Sequence, residues 1–222
     1  TGETGIAIYA TNTQDTMNNI SVTGNVVKDV DSAAQNGHGI AMTGNVRNLH
    51  IADNEIIDAK TTGVYVQAGG YDDAAKMPIG ITIVNNTIKD IGSGTPVSNY
   101  GNGIHILGGQ KVAIIGNRIY NTNEYGISVA YAAGALADTI IDSVFVADNL
   151  IDTAVDTGIR AIVSAATANI VIGDNEILNC GNDYVNMVTT ETTAITMIKI
   201  PWNLRFTISD GVTLTFTYGF SI

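Results

Sequence analysis

Residues 103–121 read Gly103-Ile104-His105-Ile106-Leu107-Gly108-Gly109-Gln110-Lys111-Val112-Ala113-Ile114-Ile115-Gly116-Asn117-Arg118-Ile119-Tyr120-Asn121. The apolar residues alternate: Ile104 with Ile106, then Val112 with Ile114, then Ile119 beyond the asparagine. A period of two belongs to strands with one buried face, not to a helix. Three short strands follow: Gly103–Leu107, Val112–Ile115 and Arg118–Asn121. Strands this short cannot bury their apolar sides alone, so the unit must stack on copies of itself.

Such copies run along the chain. The pattern Gly, apolar, any, apolar recurs at Gly5, Gly39, Gly63, Gly103, Gly126 and Gly158. A second pattern (apolar, any, apolar, two residues, Asn, any, apolar) recurs around Asn25, Asn54, Asn86, Asn117, Asn149 and Asn175. The asparagines are 29, 32, 31, 32 and 26 residues apart. Near-regular spacing marks a solenoid, in which the coil cross-section is fixed and loops vary in length. Coils stacked about 4.8 Å apart pair every strand with its equivalents above and below. The expected fold is all-β, a right-handed single-stranded parallel β-helix of six to seven coils.

The asparagines are expected to be structural. The corner between second and third strands is sharp and calls for a left-handed backbone, which Asn tolerates. Its amide can also bond to the Asn one coil away, as in a stacked ladder.

Composition agrees. Of the 222 residues 45% are apolar but only 6% aromatic, so the core is aliphatic. Gly is abundant, with 24 residues, and Pro scarce, with 3, which fits many tight turns and no Pro-rich linker. The formal charge of −11, from 21 acidic and 10 basic residues, argues against nucleic acid or an anionic membrane as main partner. The single cysteine, Cys180, excludes an intrachain disulfide and is expected in the core.

The G-I-x-I and I-x-V-x-x-N-x-I units resemble those of the pectate-lyase-like right-handed parallel β-helix superfamily. That group includes pectinases, alginate lyases and epimerases, and phage tailspike depolymerases. The resemblance covers roughly residues 1–180. It implies a polysaccharide partner and a substrate groove on the outer face of the G-I-x-I strands; no cofactor is expected from the residues. A family-specific signature such as an epimerase D-P-H motif is absent from the sequence.

Alternation identifies the outward residues of those strands. Two positions after Gly they are Ala7, Ala41, Tyr65, His105, Ser128 and Arg160; four positions after Gly they are Tyr9, Thr43, Gln67, Leu107, Ala130 and Ile162. Tyr65 and His105 thus fall on adjacent coils, with Arg160 two coils beyond His105. Tyr, His and Arg are the side chains that β-elimination or epimerisation of a uronic acid requires, with Arg neutralising the carboxylate. An alternative set is Glu124 and Asp156, which precede Gly126 and Gly158 at matching positions. Glycoside hydrolysis needs two carboxyl groups about 5–10 Å apart, and one coil step lies at the short end of that range. Either set is equally readable as solvated surface.

Long insertions at Ala68–Gly80, Gly92–Asn102 and Tyr131–Ser143 flank the same face. With Tyr71 and Tyr100 as stacking platforms, and Ser128 and Gln67 beside them, they are candidate substrate-binding elements. Asp72 and Asp73 could hold a cation such as calcium, but the calcium-binding glycine-rich repeat is absent. The three histidines fall on different coils and columns, so no metal site is expected; His38 reads as incidental and His50 as outward on a second-column strand.

After Cys180 the Asn pattern stops. Residues 1–183 are expected to form the helix, and 184–222 a last coil with a β-rich cap or trimerisation element. Trp202 reads as an anchor there, and Ser209-Asp210-Gly211 as a turn. Gly5 opens a coil with no preceding cap, which points to a fragment of a longer protein. The expectation is an extracellular or virion-surface protein that binds, and in the stronger version depolymerises, a polysaccharide, in the manner of a tailspike. The competing expectations are a non-catalytic shaft or adhesin segment, and a uronate lyase or C5-epimerase.

Overall fold

The computed structural model describes residues 4–10, 16–31, 37–68, 77–92, 101–130, 141–163 and 169–182, and the backbone of four further strands, 185–189, 193–197, 204–208 and 214–215. The chain winds strand by strand. The first coil is β1 (Ile6–Tyr9), β2 (Met17–Thr23) and β3 (Val26–Val30); the second β4 (His38–Thr43), β5 (Val46–Ala52) and β6 (Glu55–Ala59); the third β7 (Thr62–Gln67), β8 (Ile79–Val84) and β9 (Thr87–Ile91). The fourth is β10 (Asn102–Leu107), β11 (Gly109–Ile115) and β12 (Arg118–Thr122); the fifth β13 (Ile127–Ala130), β14 (Ile141–Ala147) and β15 (Leu150–Ala154); the sixth β16 (Ile159–Val163), β17 (Asn169–Ile172) and β18 (Glu176–Leu178). Then come β19 (Val185–Thr189), β20 (Thr193–Met197), β21 (Leu204–Ile208) and β22 (Leu214–Thr215).

Every third strand pairs in parallel as far as β20, and β21 and β22 then pair with β19 and β20. The first sheet runs β1-β4-β7-β10-β13-β16-β19-β21, the second β2-β5-β8-β11-β14-β17-β20-β22, and the third β3-β6-β9-β12-β15-β18. This is the β-helix read from the alternation. The β-rich C-terminal segment carries the first two sheets on in parallel register. Trp202 and Ser209–Gly211 lie outside the described residues.

The core is a set of aliphatic columns. Val64, Ile104 and Ile127 line up in the first sheet, Ile81, Val112 and Val144 in the second, and Ile56, Ile88, Ile119 and Ile151 in the third; all are buried. Each such side chain contributes roughly 1.5–3 kcal/mol on leaving water. Cys180 is half-buried, packed against this core at its C-terminal end.

Gly recurs at the start of the first-sheet strands because nothing larger fits. A Cβ on Gly63 would lie 2.5 Å from the Gly103 carbonyl oxygen, and one on Gly103 would lie 2.6 Å from that of Gly126. Each would also press on an isoleucine of the third sheet, Ile88 or Ile119.

The six asparagines form a continuous ladder. In each of the first five, Nδ2 donates to Oδ1 of the next asparagine at 2.9–3.0 Å, and that same Oδ1 accepts the backbone N–H at 2.9–3.1 Å. From Asn54 onward, Nδ2 also donates to a carbonyl of the preceding coil, as Asn117 does to Ile83 at 3.0 Å. The left-handed residue of this corner is not the ladder asparagine. It is the residue before it: Gly24, Asp53, Asn85, Gly116 and Asp148 have φ of 66°, 56°, 54°, 66° and 57°. The ladder position is reserved for Asn by hydrogen bonding, and its neighbour makes the turn.

Candidate functional site

Two columns of the first sheet, running side by side, carry the chemistry. The inner-coil partners Ala41, Tyr65, His105, Ser128 and Arg160 are in direct register across β4, β7, β10, β13 and β16, as the alternation predicts. The second column is formed by the residues just before the strand glycines: His38 and Asn102 both register with Thr62, and Tyr125 takes the same place one coil on. Sequence reasoning gave His38 no role and passed over Asn102 and Tyr125.

The two columns interlock. The ring of His38 stacks on that of Tyr65, with centroids 4.4 Å apart and planes 5° from parallel. His105 meets the same ring edge-on, at 5.6 Å. His38 Nδ1 bonds the Thr61 hydroxyl at 2.9 Å, and Asn102 Nδ2 bonds His105 Nδ1 at 3.2 Å. Both histidines are buried, 4% and 6% exposed, although His105 alternates with the core residues Ile104 and Ile106 and so belongs to the outer face. Burial pushes His38 down to about 4, and pushes His105 down to about 3 with the charges of Arg160 and His38 acting the same way. Both imidazoles are neutral at physiological pH. Ser128, between His105 and Arg160, is fully buried, and its hydroxyl makes no hydrogen bond among the described residues.

A second cluster centres on Tyr125. The guanidinium carbon of Arg160 lies over its ring, 4.6 Å from the centroid, and Glu124 and Asp156 stand close enough to act on its phenol. Burial pushes the phenol up to about 12, opposed by Arg160 and reinforced by Glu124 and Asp156, so it stays protonated. Glu124 and Asp156 hold matching places, as expected: the Asp156 N–H donates to the Glu124 carbonyl at 3.0 Å. The Asp156 carboxylate also accepts from Asn182 Nδ2 at 2.6 Å and from the Thr157 hydroxyl at 3.2 Å.

Tyr65, Gln67, Glu124, Tyr125, Asp156 and Arg160 are half-buried and open in part to solvent. Arg160 links the two sets that the sequence offered as alternatives: its charge acts on His105, and it lies over Tyr125, which Glu124 and Asp156 flank. Gln67 registers with Thr43 and Leu107, one step along the same face. Tyr71 and Tyr100, with Asp72 and Asp73, lie outside the described residues. His50 is exposed on β5, away from this face. Among the described residues no group of three His, Cys, Asp or Glu side chains is placed to hold a metal.

The family described as right-handed β-helix region matches residues 7–199 of the chain. This chain is a member of the right-handed β-helix family. A solved structure described as a glycoside hydrolase superposes with a TM-score of 0.57 at 14% identity, covering 91% of this chain and 38% of the other. The chain thus spans well under half the length of that protein, and the likeness is one of fold. No curated protein matches the sequence.

Proposed function

We propose that this β-helix is a carbohydrate-active module whose first-sheet face binds a polysaccharide and hydrolyses it at Glu124 and Asp156. The observation that carries the reading is the Tyr125 cluster: one phenol ring beneath Arg160, flanked by the carboxylates of Glu124 and Asp156. Glycoside hydrolysis uses two carboxyl groups, one giving a proton to the leaving oxygen and the other acting as base or nucleophile. Asp156, which accepts hydrogen bonds from Thr157 and Asn182, has the environment of the second; Glu124 takes the first role. Thr157 and Asn182 hold Asp156 in place, and Arg160 attracts an acidic substituent of the chain. Repetition along the helix axis adds weight, because one coil step of about 4.8 Å is close to one sugar ring. The β-helix named a glycoside hydrolase lends support at the level of fold.

Hydrolysis is favoured over β-elimination by the state of the bases. Elimination needs a group that removes the C5 proton at neutral pH. His105, down to about 3, is a weak base, and Tyr125, up to about 12, is not a phenolate. We place the module, as in tailspikes and secreted depolymerases, on a virion or outside the cell, and expect a homotrimer.

A second reading, a non-catalytic shaft or adhesin segment, is favoured by the burial of His38, His105 and Ser128, which pack as structure rather than as a site. A panel of capsular, alginate and pectic polysaccharides separates the readings. Hydrolysis releases reducing ends without unsaturated uronates, elimination releases both, and a shaft releases neither.

A further inference from the structure

The interior of the first-sheet face holds one side chain whose bonding is over-determined. Asn102 is fully buried on β10, three residues before His105. Its Oδ1 accepts the backbone N–H of Tyr125 at 3.3 Å. A backbone N–H only donates, so this contact fixes which end of the amide is oxygen. The other end, Nδ2, then faces His105 Nδ1 at 3.2 Å. An amide nitrogen has hydrogens and no lone pair to accept with, so Nδ1 must be the acceptor. A neutral imidazole with an unprotonated Nδ1 carries its single proton on Nε2.

We propose that Asn102 is a positioning residue that locks His105 as the neutral Nε2–H tautomer, so that His105 offers the first-sheet face a hydrogen-bond donor and no proton acceptor. The chain of constraint runs from the Tyr125 backbone, through the Asn102 amide, to the far nitrogen of His105. It ties the aromatic cluster around Tyr65 to the Tyr125 cluster one coil away. The low proton affinity of His105 fits: an added proton on Nδ1 would point at the amide hydrogens of Asn102. Toward a polysaccharide, such a histidine would bond a sugar hydroxyl or ring oxygen without becoming charged. That part rests on the reading of this face as a carbohydrate surface; the tautomer does not.

The test is nitrogen-15 NMR of the folded chain, correlating ring nitrogens with ring protons. Single His38→Gln and His50→Gln variants assign the three histidines. The expected result at neutral pH is a pyridine-like Nδ1 and a pyrrole-like Nε2 for His105. In Asn102→Asp, one carboxylate oxygen keeps the Tyr125 N–H and the other faces Nδ1. Nδ1 is then expected to gain the proton, while His38 and His50 keep their signals. A wild-type His105 protonated on Nδ1, or averaging between tautomers, overturns the proposal, and so does an Asn102→Asp signal unchanged from wild type. If the variant does not fold, the wild-type spectrum alone decides. A locked tautomer in a protein that binds no polysaccharide would leave this proposal standing and remove the carbohydrate reading.

Discussion

Arg160 on the sixth coil lies over the ring of Tyr125 on the fifth, its guanidinium carbon 4.6 Å from the centroid, and Asp156 stands just ahead of the Arg160 strand. One tyrosine thus seats a cation on its face and sets a phenol beside the carboxylates of Glu124 and Asp156. Removing the hydroxyl alone separates the two. Tyr125→Phe keeps the ring beneath Arg160 and is expected to fold normally. It should lower depolymerase turnover about tenfold, the scale of losing one polar group beside the reacting carboxylates. Turnover and binding on the same substrate check this, with binding expected to change little.

The two buried histidines make the fold sensitive to acid. Their folded-state values, about 4 for His38 and about 3 for His105, lie below the ordinary 6.5. Between those limits the unfolded chain binds protons that the folded chain does not, so stability rises with pH. The contribution is complete above about pH 6.5 and is lost as pH falls toward 4 and then 3. Each histidine adds a slope of roughly 1.4 kcal/mol per pH unit inside its window. Urea denaturation from pH 7 to pH 4 should show this slope, and His38→Gln with His105→Gln should flatten it.

The asparagine ladder predicts a graded loss. Asn117→Ala removes a bond to Asn149, two acceptances from Asn86 and a donation to Ile83, all buried. It should cost about 3–5 kcal/mol, because the partners are left unsatisfied away from water. Asn25→Ala, at the half-buried end of the ladder, should cost about 1 kcal/mol. Comparison of the two denaturation midpoints checks the gradient.

Glycine positions divide the same way. Gly103→Ala drives a Cβ into the Gly126 carbonyl and Ile119, and should cost about 2–4 kcal/mol or prevent folding. Gly24→Ala meets nothing within 4 Å, and its φ of 66° is the sole obstacle. It should cost about 1–2 kcal/mol. Thermal melts of both variants distinguish a steric cause from a conformational one.

Coil order, the ladder, the glycine starts and the Tyr65–His105–Ser128–Arg160 register were all legible in the sequence, because period-two alternation and a fixed corner residue leave little freedom in a parallel stack. Glu124 and Asp156 were legible for the same reason. Tyr125, His38 and Asn102 were not, because each sits just before a strand glycine, at the corner where alternation no longer tells which way a side chain points. A signal existed: the residues preceding Gly5, Gly39, Gly63, Gly103, Gly126 and Gly158 are Thr4, His38, Thr62, Asn102, Tyr125 and Thr157, all polar or aromatic. The burial of His105 and Ser128 on an outward face had no sequence signal, since it depends on what packs over them. The left-handed corner was read one residue late, because Asn both tolerates that conformation and ladders well, and here only the second property is used.

Cutting of a polysaccharide at the Tyr125 cluster requires both Glu124 and Asp156. The decisive experiment compares reducing-end release from the panel's best substrate by the unaltered chain, by Glu124→Gln and by Asp156→Asn, with His50→Ala on the exposed second sheet as control. Loss of at least a hundredfold is expected in both carboxylate variants, with binding retained and the control unaffected. Product release that survives both substitutions would contradict it.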